Sequence, residues 1–168
     1  VHIYGTLRMK ILVTGALGHI GSRLIRDLPK HFPDCEIVMV DNMFTQRYSS
    51  LFNLPVEGNY KFLEDDITQI DLNKLLVGVH VVIHLAAITD AAASFGNAEL
   101  VEKNNFNSTK QLADVCADKG VRLITLSSTS VYGTQADVVD EDCTEEELQP
   151  QSPYAVTKLK EERLVEDL

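Results

Sequence analysis

Cysteine and tryptophan are scarce in this chain of 168 residues, which has three cysteines and no tryptophan. The cysteines, Cys35, Cys116 and Cys143, lie far apart and form no C-x-x-C pair. An odd number at such spacing excludes a disulfide framework and gives no support for a zinc site, so we expect no metal centre. Free thiols are typical of a reducing compartment, and the sequence therefore predicts a cytoplasmic protein.

Basic residues are also in short supply. The chain has 15 Lys and Arg against 25 Asp and Glu, which gives a formal net charge of -10. Because a polyanionic partner needs a basic surface, this balance argues against binding to nucleic acid or to a membrane surface. Part of the acidic excess lies between Asp137 and Glu147, a stretch that we interpret as a solvated loop.

Long hydrophobic runs are missing. The longest runs, such as Val79 to Ala87, have the length of a strand, and this one is interrupted by His80 and His84. A bilayer-spanning helix needs roughly 20 apolar residues, so the sequence predicts no membrane segment. No secretory signal is visible either.

What the sequence does contain is an alternation of strands and helices. Five short apolar runs are continuous rather than alternating, as in strands that are buried on both faces. Helical patterns lie between them, and this order predicts right-handed βαβ units in an α/β fold, a Rossmann-type doubly wound parallel sheet. The five runs are Lys10–Thr14, Glu36–Val40, Lys61–Leu63, Val79–Leu85 and Arg122–Leu126.

The predicted helices have recognisable ends. We expect Pro29 and Pro33 to break the first helix, because proline disrupts a helix interior. Asp71 is a candidate N-cap for a short helix, and Gly120 occupies the position of a C-cap glycine after a longer one. A further helix is predicted from Tyr154 to Leu168.

A glycine-rich motif, T-G-x-x-G-x-x-G, connects the first strand to the first helix. Gly15 and Gly18 let the backbone approach a dinucleotide pyrophosphate at the helix N-terminus, and Gly21 lets the helix pack on the strand. The second strand ends at Asp41, whose carboxylate can accept hydrogen bonds from both hydroxyls of an adenosine ribose. That carboxylate would repel a 2′-phosphate, and no Lys or Arg occurs over 42–46 to offset it. The sequence therefore predicts NAD rather than NADP.

Further motifs follow along the chain in an order that resembles the extended short-chain dehydrogenase/reductase family, especially its nucleotide-sugar epimerase and dehydratase branch. The similarity extends from Lys10 to about Leu168. It is carried by the glycine loop, Asp41-Asn42, Asp66-Ile67, His84-Leu85-Ala86-Ala87, Asn105 in N-N-F-N-S-T, Ser127-Ser128-Thr129-Ser130-Val131-Tyr132-Gly133, and Tyr154-Ala155-Val156-Thr157-Lys158.

The resemblance implies an NAD site made from these elements. Asn42 belongs to the ribose end, Asp66 and Ile67 lie against the adenine, and the segment after His84 runs beside the cofactor. His19 is expected to shield the phosphates, with a solvent-facing position as the alternative. The cofactor-binding residues expected on this basis are Gly15, Gly18, His19, Ile20, Gly21, Asp41, Asn42, Asp66, Ile67, Leu85, Ala86, Ala87, Asn105, Tyr154 and Lys158.

The resemblance also implies three catalytic residues, Ser128, Tyr154 and Lys158. Tyr154 and Lys158 are four residues apart and share one helix face, so the ammonium favours the phenolate of a residue type whose pKa is ordinarily about 10. Dehydratases and some decarboxylases of this branch have an acidic residue after the catalytic Ser/Thr position, where Thr129 stands here. We therefore expect a 4-epimerase, in which a hydride is removed and returned through a keto-sugar intermediate. Ser94 resembles a family serine near the substrate.

Several alternatives remain at this point. A dehydratase, a decarboxylase, a reductase or an amino-acid dehydrogenase of the same architecture would have much of the same sequence, and so would a module that holds NAD without turnover. The expected partners are a nucleotide sugar and a second copy of the chain in a homodimer.

We interpret residues 1–8, which precede Met9, as a possible tag or upstream extension. Residues 9–168 are predicted to form an NAD-binding Rossmann domain that is incomplete, because the last helix has no cap glycine and no strand after it. We expect an N-terminal fragment without the substrate lobe, and hence without sugar turnover of its own.

Overall fold

The computed structural model describes residues 8–135 and 138–168. Residues 1–7 of the predicted extension and Asp137 of the acidic stretch lie outside this part of the chain. The chain divides into two compact units. The first contains the described residues up to Ala86 together with Val115–Thr125, and the second contains Ala87–Asp114 and the described residues of Leu126–Leu168.

The first unit is built on a parallel sheet of five strands in the order β3-β2-β1-β4-β5. The central strand pairs on both sides, with Val13 opposite Met39 in one neighbour and Ile83 in the other. The predicted doubly wound Rossmann-type sheet is confirmed, and the order of the strands reverses between β1 and β4. The strands are β1 Lys10–Thr14, β2 Glu36–Asp41, β3 Asn59–Glu64, β4 Val81–His84 and β5 Arg122–Thr125.

Five α-helices accompany the strands in the described residues, together with a π-helical segment over Glu102–Phe106. Asp71 caps α2 by accepting a hydrogen bond from the backbone N–H of Lys74, as its position predicts. Gly120 follows α4 with a φ of 64°, the left-handed conformation expected of a glycine at a helix end. The helices are α1 His19–His31, α2 Leu72–Leu75, α3 Ala98–Val101, α4 Asn107–Lys119 and α5 Pro153–Glu166.

The three cysteines are free, as their spacing predicts. Cys35 and Cys116 are buried, and burial raises the pKa of the Cys116 thiol to about 11. A thiolate is therefore disfavoured there at neutral pH, and Cys116 serves as a small apolar residue of the interior.

The prediction that Pro29 breaks the first helix was wrong, since α1 continues through Pro29 to His31. A proline at this position has no N–H to donate to the carbonyl oxygen of Ile25, one helical turn earlier. The hydroxyl of Tyr60, on β3, donates a hydrogen bond to that same oxygen at 2.9 Å. A side chain distant in sequence thus replaces the missing helical hydrogen bond.

This compensation predicts that Tyr60→Phe destabilises the protein by about 1–3 kcal/mol, the cost of a carbonyl left without a partner. In a Pro29→Ala background the new N–H can satisfy Ile25, so the same change is expected to cost less. Urea denaturation of the four proteins measures the difference. Tyr48→Phe, at a side chain that is 51% exposed, is the matched control. An equal cost of Tyr60→Phe in both backgrounds would contradict the explanation.

Candidate functional site

Thr14 joins the end of β1 to the end of β4. Its side chain is fully buried, and its hydroxyl lies 2.6 Å from Nδ1 of His84. The same oxygen accepts hydrogen bonds from the backbone N–H groups of Leu85 at 3.2 Å and Ala86 at 3.3 Å. His84 is thus a packed residue of the interior, and the segment that follows it is fixed beside the start of the glycine loop.

The glycine loop is closely packed at Gly15 and Gly21. Gly15 has a φ of +62°, and a Cβ atom there would lie 2.6 Å from the backbone nitrogen of Ala86. A Cβ at Gly21 would lie 2.4 Å from the carbonyl oxygen of Gly15. Both distances are shorter than real Cβ contacts, so the packing requires glycine at these two positions.

The start of α1 fits the diphosphate of a dinucleotide. Its N-cap is Gly18, which makes no side-chain capping hydrogen bond, and its first turn has no acidic residue. The N–H groups of the first turn and the positive end of the helix dipole are therefore left to an anion. His19 and Ile20 are both exposed here. The residues present thus match the NAD diphosphate that the sequence predicts.

Asp41 at the end of β2 does more than the sequence indicated. Its Oδ2 accepts a hydrogen bond from the backbone N–H of Leu17 in the glycine loop, and its Oδ1 accepts one from the N–H of Met43, both at 3.0 Å. A carboxylate has about four lone-pair sites, so it can still accept ribose hydroxyls. Asp41 therefore fixes the loop as well as presenting the predicted ribose contact.

Asn42 and Asp66, which are predicted to lie at the ribose and adenine end of the cofactor, are hydrogen-bonded to each other. The side-chain amide of Asn42 donates to Asp66 at 3.3 Å, and the backbone and hydroxyl of Thr68 donate to the other carboxylate oxygen at 2.9 and 2.8 Å. Burial alone would raise the pKa of Asp66, but these hydrogen bonds outweigh it and the pKa is lowered. Ile67 beside it is buried. An open recess of about 380 Å³ at this end is lined by Asn42, Phe44, Glu64, Asp65 and Asp66.

Phe44 is a residue that sequence reasoning missed. It is 80% exposed at this recess, in the loop that follows Asp41. An exposed aromatic side chain provides a flat apolar surface of the kind on which a nucleobase can stack. The signal in the sequence was a phenylalanine outside any helical or strand pattern.

In the second unit, Asn105 holds a loop through both ends of its side-chain amide. The oxygen accepts the backbone N–H of Ile88 at 2.8 Å, and the nitrogen donates to the carbonyl of Ile88 at 2.9 Å. Asn105 is 1% exposed and lies in the π-helical segment, a distortion that is frequent at functional sites. It therefore fixes the chain next to Ala87, another predicted cofactor residue.

Helix α5 presents Tyr154 and Lys158 one turn apart. Ser152 caps the helix by accepting the N–H of Ala155, and the backbone N–H of Tyr154 donates to the hydroxyl of Ser94 at 3.3 Å. Tyr154 and Lys158 are 9% and 7% exposed. The ammonium of Lys158 donates to Glu161 on the next turn at 2.9 Å. Ser94 itself donates to the carbonyl of Ala91 at 2.6 Å, so here it anchors backbone.

Ser128 is arranged to donate a hydrogen bond. Its hydroxyl oxygen accepts from the backbone N–H of Ser130 at 3.2 Å and from the hydroxyl of Ser130 at 2.9 Å. Since both contacts use lone pairs, the hydrogen of Ser128 is left to a ligand oxygen. Thr129 begins the short 3₁₀ turn that Ser128 caps.

The predicted site residues are thus divided between the two units. Those of the glycine loop, the ribose and adenine ends, and the end of β4 up to Ala86 lie in the first unit. The second unit contains Ala87, Asn105, Ser128, Tyr154 and Lys158.

Metal-binding groups and membrane-spanning helices are both lacking among residues 8–135 and 138–168. No group of three or more His, Cys, Asp or Glu side chains in these residues could hold a metal ion. None of the helices in the same residues is both long enough and apolar enough to cross a bilayer.

Comparison with known proteins defines the class. The model of the NAD dependent epimerase/dehydratase family matches residues 11–168, and the chain belongs to this family. The residues of the glycine loop and of Asp41 are consistent with NAD as the cofactor of the family.

Three relatives illustrate the similarity. The chain is 36% identical over 163 residues to the uncharacterized UDP-glucose epimerase YtcB of Bacillus subtilis, covering 93% of this chain and 50% of that protein. It is 36% identical to the trifunctional enzyme RHM1 of Arabidopsis thaliana, named for a UDP-glucose 4,6-dehydratase among its activities, covering 92% of this chain and 24% of that protein. The crystal structure of UDP-glucuronic acid 4-epimerase from Bacillus cereus with UDP-glucuronic acid and NAD gives a TM-score of 0.82 at 38% identity, covering 93% and 51%.

The chain spans about half the length of the relative from Bacillus subtilis and less of the plant enzyme. Similarity covers nearly all of this chain, so it applies to the nucleotide-binding elements and to the Ser128, Tyr154 and Lys158 motifs alike.

The hydrogen bonds of Asp41 predict that Asp41→Ala weakens NAD binding by about ten-fold or more, since hydrogen bonds to a charged group are worth about 1.5–3 kcal/mol. The preference for NAD over NADP should also fall, because the charge that repels a 2′-phosphate is gone. Calorimetric titration with both cofactors measures this. Asp41→Asn, which keeps one acceptor oxygen and the shape, is the control. Wild-type NAD affinity in a folded Asp41→Ala protein, or tighter binding of NADP by the wild type, would contradict the ribose assignment.

Proposed function

We propose that this chain is the N-terminal portion of an NAD-dependent nucleotide-sugar 4-epimerase. The observation that carries the proposal is the S-S-T-S-V-Y-G element, in which hydroxyl side chains surround Ser128. The similarity of the chain to a UDP-glucose epimerase and to a UDP-glucuronic acid 4-epimerase also supports 4-epimerisation.

Each catalytic residue has a distinct part in the proposed reaction. When bound, NAD would supply the hydride acceptor and donor for the sugar carbon. Tyr154 takes the proton from the sugar hydroxyl and gives it back, while Ser128 donates a hydrogen bond to the same oxygen. Lys158 binds the nicotinamide ribose. Return of the hydride to the opposite face of the keto sugar inverts one carbon without net oxidation.

The second candidate is a 4,6-dehydratase, which the similarity to the plant trifunctional enzyme favours. Elimination of water requires a proton donor for the departing hydroxyl. In this chain Thr129 and Ser130 follow Ser128, and neither is an acid at neutral pH. This difference supports epimerisation over elimination.

We expect the full-length protein, rather than these 168 residues alone, to catalyse the reaction. Holding the reacting carbon against the nicotinamide can account for about 7–11 kcal/mol of the barrier. We propose that the other half of the length seen in relatives grips the sugar and supplies this orientation. The 168 residues alone are then expected to bind NAD without converting a nucleotide sugar. We place the protein in the reducing cytosol.

Replacing the proposed base tests the reaction most simply. Tyr154→Phe in the full-length protein should lower the rate by about two or more orders of magnitude, which is what a positioned proton-transfer group contributes. NAD affinity and the melting temperature should stay close to wild type, because the ring still packs at this buried position. Near-normal turnover by the variant would exclude Tyr154 as the base.

We further propose a homodimer that pairs the helical segment carrying Asn105 and helix α5, which carries Tyr154, with their copies in a second chain. Exposed apolar side chains occur on α5 and on α3, which directly precedes the Asn105 segment: Val156 at 39% and Leu100 at 54%. An open recess of about 340 Å³ is lined in part by Val156, Glu102 and Lys160, and the last two form an exposed ion pair at 2.8 Å.

Light scattering at tens of micromolar should therefore give the mass of two chains. Leu100→Glu should give monomers, because a charge would be buried at the interface. Val77→Glu, at a side chain that is 65% exposed in the first unit, should leave the mass unchanged. A monomeric wild-type protein would contradict the proposal.

A further inference from the structure

Arg47 lies beside the start of α1, and none of the sequence motifs includes it. Its Nη2 is 2.6 Å from Nε2 of His19, the first residue of that helix. A guanidinium can only donate hydrogen bonds, so Nε2 of His19 is the acceptor and the imidazole is the neutral partner. The positive charge of Arg47 is thus held next to the N-terminus of α1 without being neutralised by His19.

The backbone that carries Arg47 is fastened to the glycine loop and to α1. The hydroxyl of Ser50 donates to the carbonyl of Leu17 in the loop at 3.0 Å. Arg26 on α1 donates to the carbonyls of Ser50 at 2.9 Å and Phe52 at 2.8 Å. The position of Arg47 relative to the loop is therefore fixed by hydrogen bonds that do not involve its own side chain.

The Arg and Lys side chains of α1 are bound to other groups of the protein, unlike Arg47, which lies in the loop after β2. Arg23 and Lys30 both form ion pairs with Asp27 on the same helix, and together they lower the pKa of the Asp27 carboxyl. Arg26 uses its guanidinium on carbonyl oxygens. Arg47 differs because its contact is a neutral imidazole, and four of its five N–H groups remain for another acceptor.

The distribution of acidic groups indicates which part of a dinucleotide faces Arg47. The carboxylates of Asp41 and Asp66 lie at the ribose and adenine end, and the first turn of α1 contains no acid. A diphosphate at this first turn has two negative charges, and a cation beside the backbone N–H groups would bind it more strongly than neutral donors alone.

We propose that Arg47 binds the diphosphate of NAD, and that His19 is a positioning residue that holds the guanidinium at the first turn of α1. The proposal rests on NAD binding at the glycine loop. In this proposal His19 orients Arg47 and does not itself shield the phosphates, in contrast to what the resemblance implied. Arg47 is therefore expected to strengthen the binding of every ligand that contains a diphosphate.

Calorimetric titration with four ligands tests this assignment. NAD, ADP-ribose and ADP contain a diphosphate, and adenosine does not. Arg47→Met should weaken NAD, ADP-ribose and ADP by about ten-fold, the value of a charge-assisted hydrogen bond, and leave adenosine unchanged. Arg47→Lys should lie between, because the charge remains and the planar fork is lost. Arg23→Met, which removes the same charge from an exposed side chain on the neighbouring helix, is the matched control and should change little.

A double-mutant cycle tests the role of His19. His19→Ala should weaken NAD binding in the wild-type background and have no further effect with Arg47→Met. A purely structural role of His19 would give the same loss in both backgrounds.

Other outcomes overturn the proposal in distinguishable ways. Unchanged NAD affinity in Arg47→Met removes Arg47 from the site, and an equal loss for adenosine makes its role structural. NADP is titrated as a separate ligand, and a loss confined to NADP would place Arg47 at a 2′-phosphate. A wild-type chain that binds none of the four ligands would instead contradict NAD binding at the glycine loop, and with it the proposed function.

Discussion

The close approach of two backbone segments at Gly15 is the constraint on which the nucleotide end of this protein depends. The loop after β1 passes the segment after β4 so closely that the added carbon of an alanine would lie 2.6 Å from Ala86. Buried Thr14 fastens the same two segments by accepting the N–H groups of Leu85 and Ala86. Because these are the strands between which the order of the sheet reverses, the contact lies where doubly wound sheets bind ligands.

The glycine loop is also held on its other side, by Asp41 at the end of β2. Asp41 accepts the N–H of Leu17, so the strand whose carboxylate is the predicted ribose contact also fixes the loop that we expect to face the diphosphate. One side chain thus couples the two halves of the dinucleotide site. The start of α1 follows directly, with a glycine cap and no acid in its first turn.

The sequence predicted those parts of the structure that depend on local patterns. Continuous apolar runs marked the five strands, but burial on both faces was wrong for β3 and β5, which are partly exposed at the two edges of the sheet. Asp71 and Gly120 marked helix ends, and the glycine loop marked the start of α1. Each of these signals is a backbone or burial requirement that residues near in sequence satisfy together. The family motifs then placed Tyr154 and Lys158 one turn apart on α5.

What the sequence could not predict depends on contacts between distant segments. Pro29 remains inside α1 because Tyr60, on another strand, satisfies the carbonyl that proline leaves free. The contact of Arg47 with His19 joins residues 28 positions apart, so no local sequence pattern marks it. The π-helical segment at Asn105 likewise has no local sequence signal.

The central claim, that the full-length protein inverts C4 of a nucleotide sugar, is tested most directly by the product formed in D₂O. The protein, NAD and a UDP-hexose would be incubated, and the product read by NMR and mass spectrometry. The account predicts a C4 epimer with the mass of the substrate and protium at C4, because the hydrogen removed from that carbon is the one returned. A product lighter by one water or one carbon dioxide would contradict it.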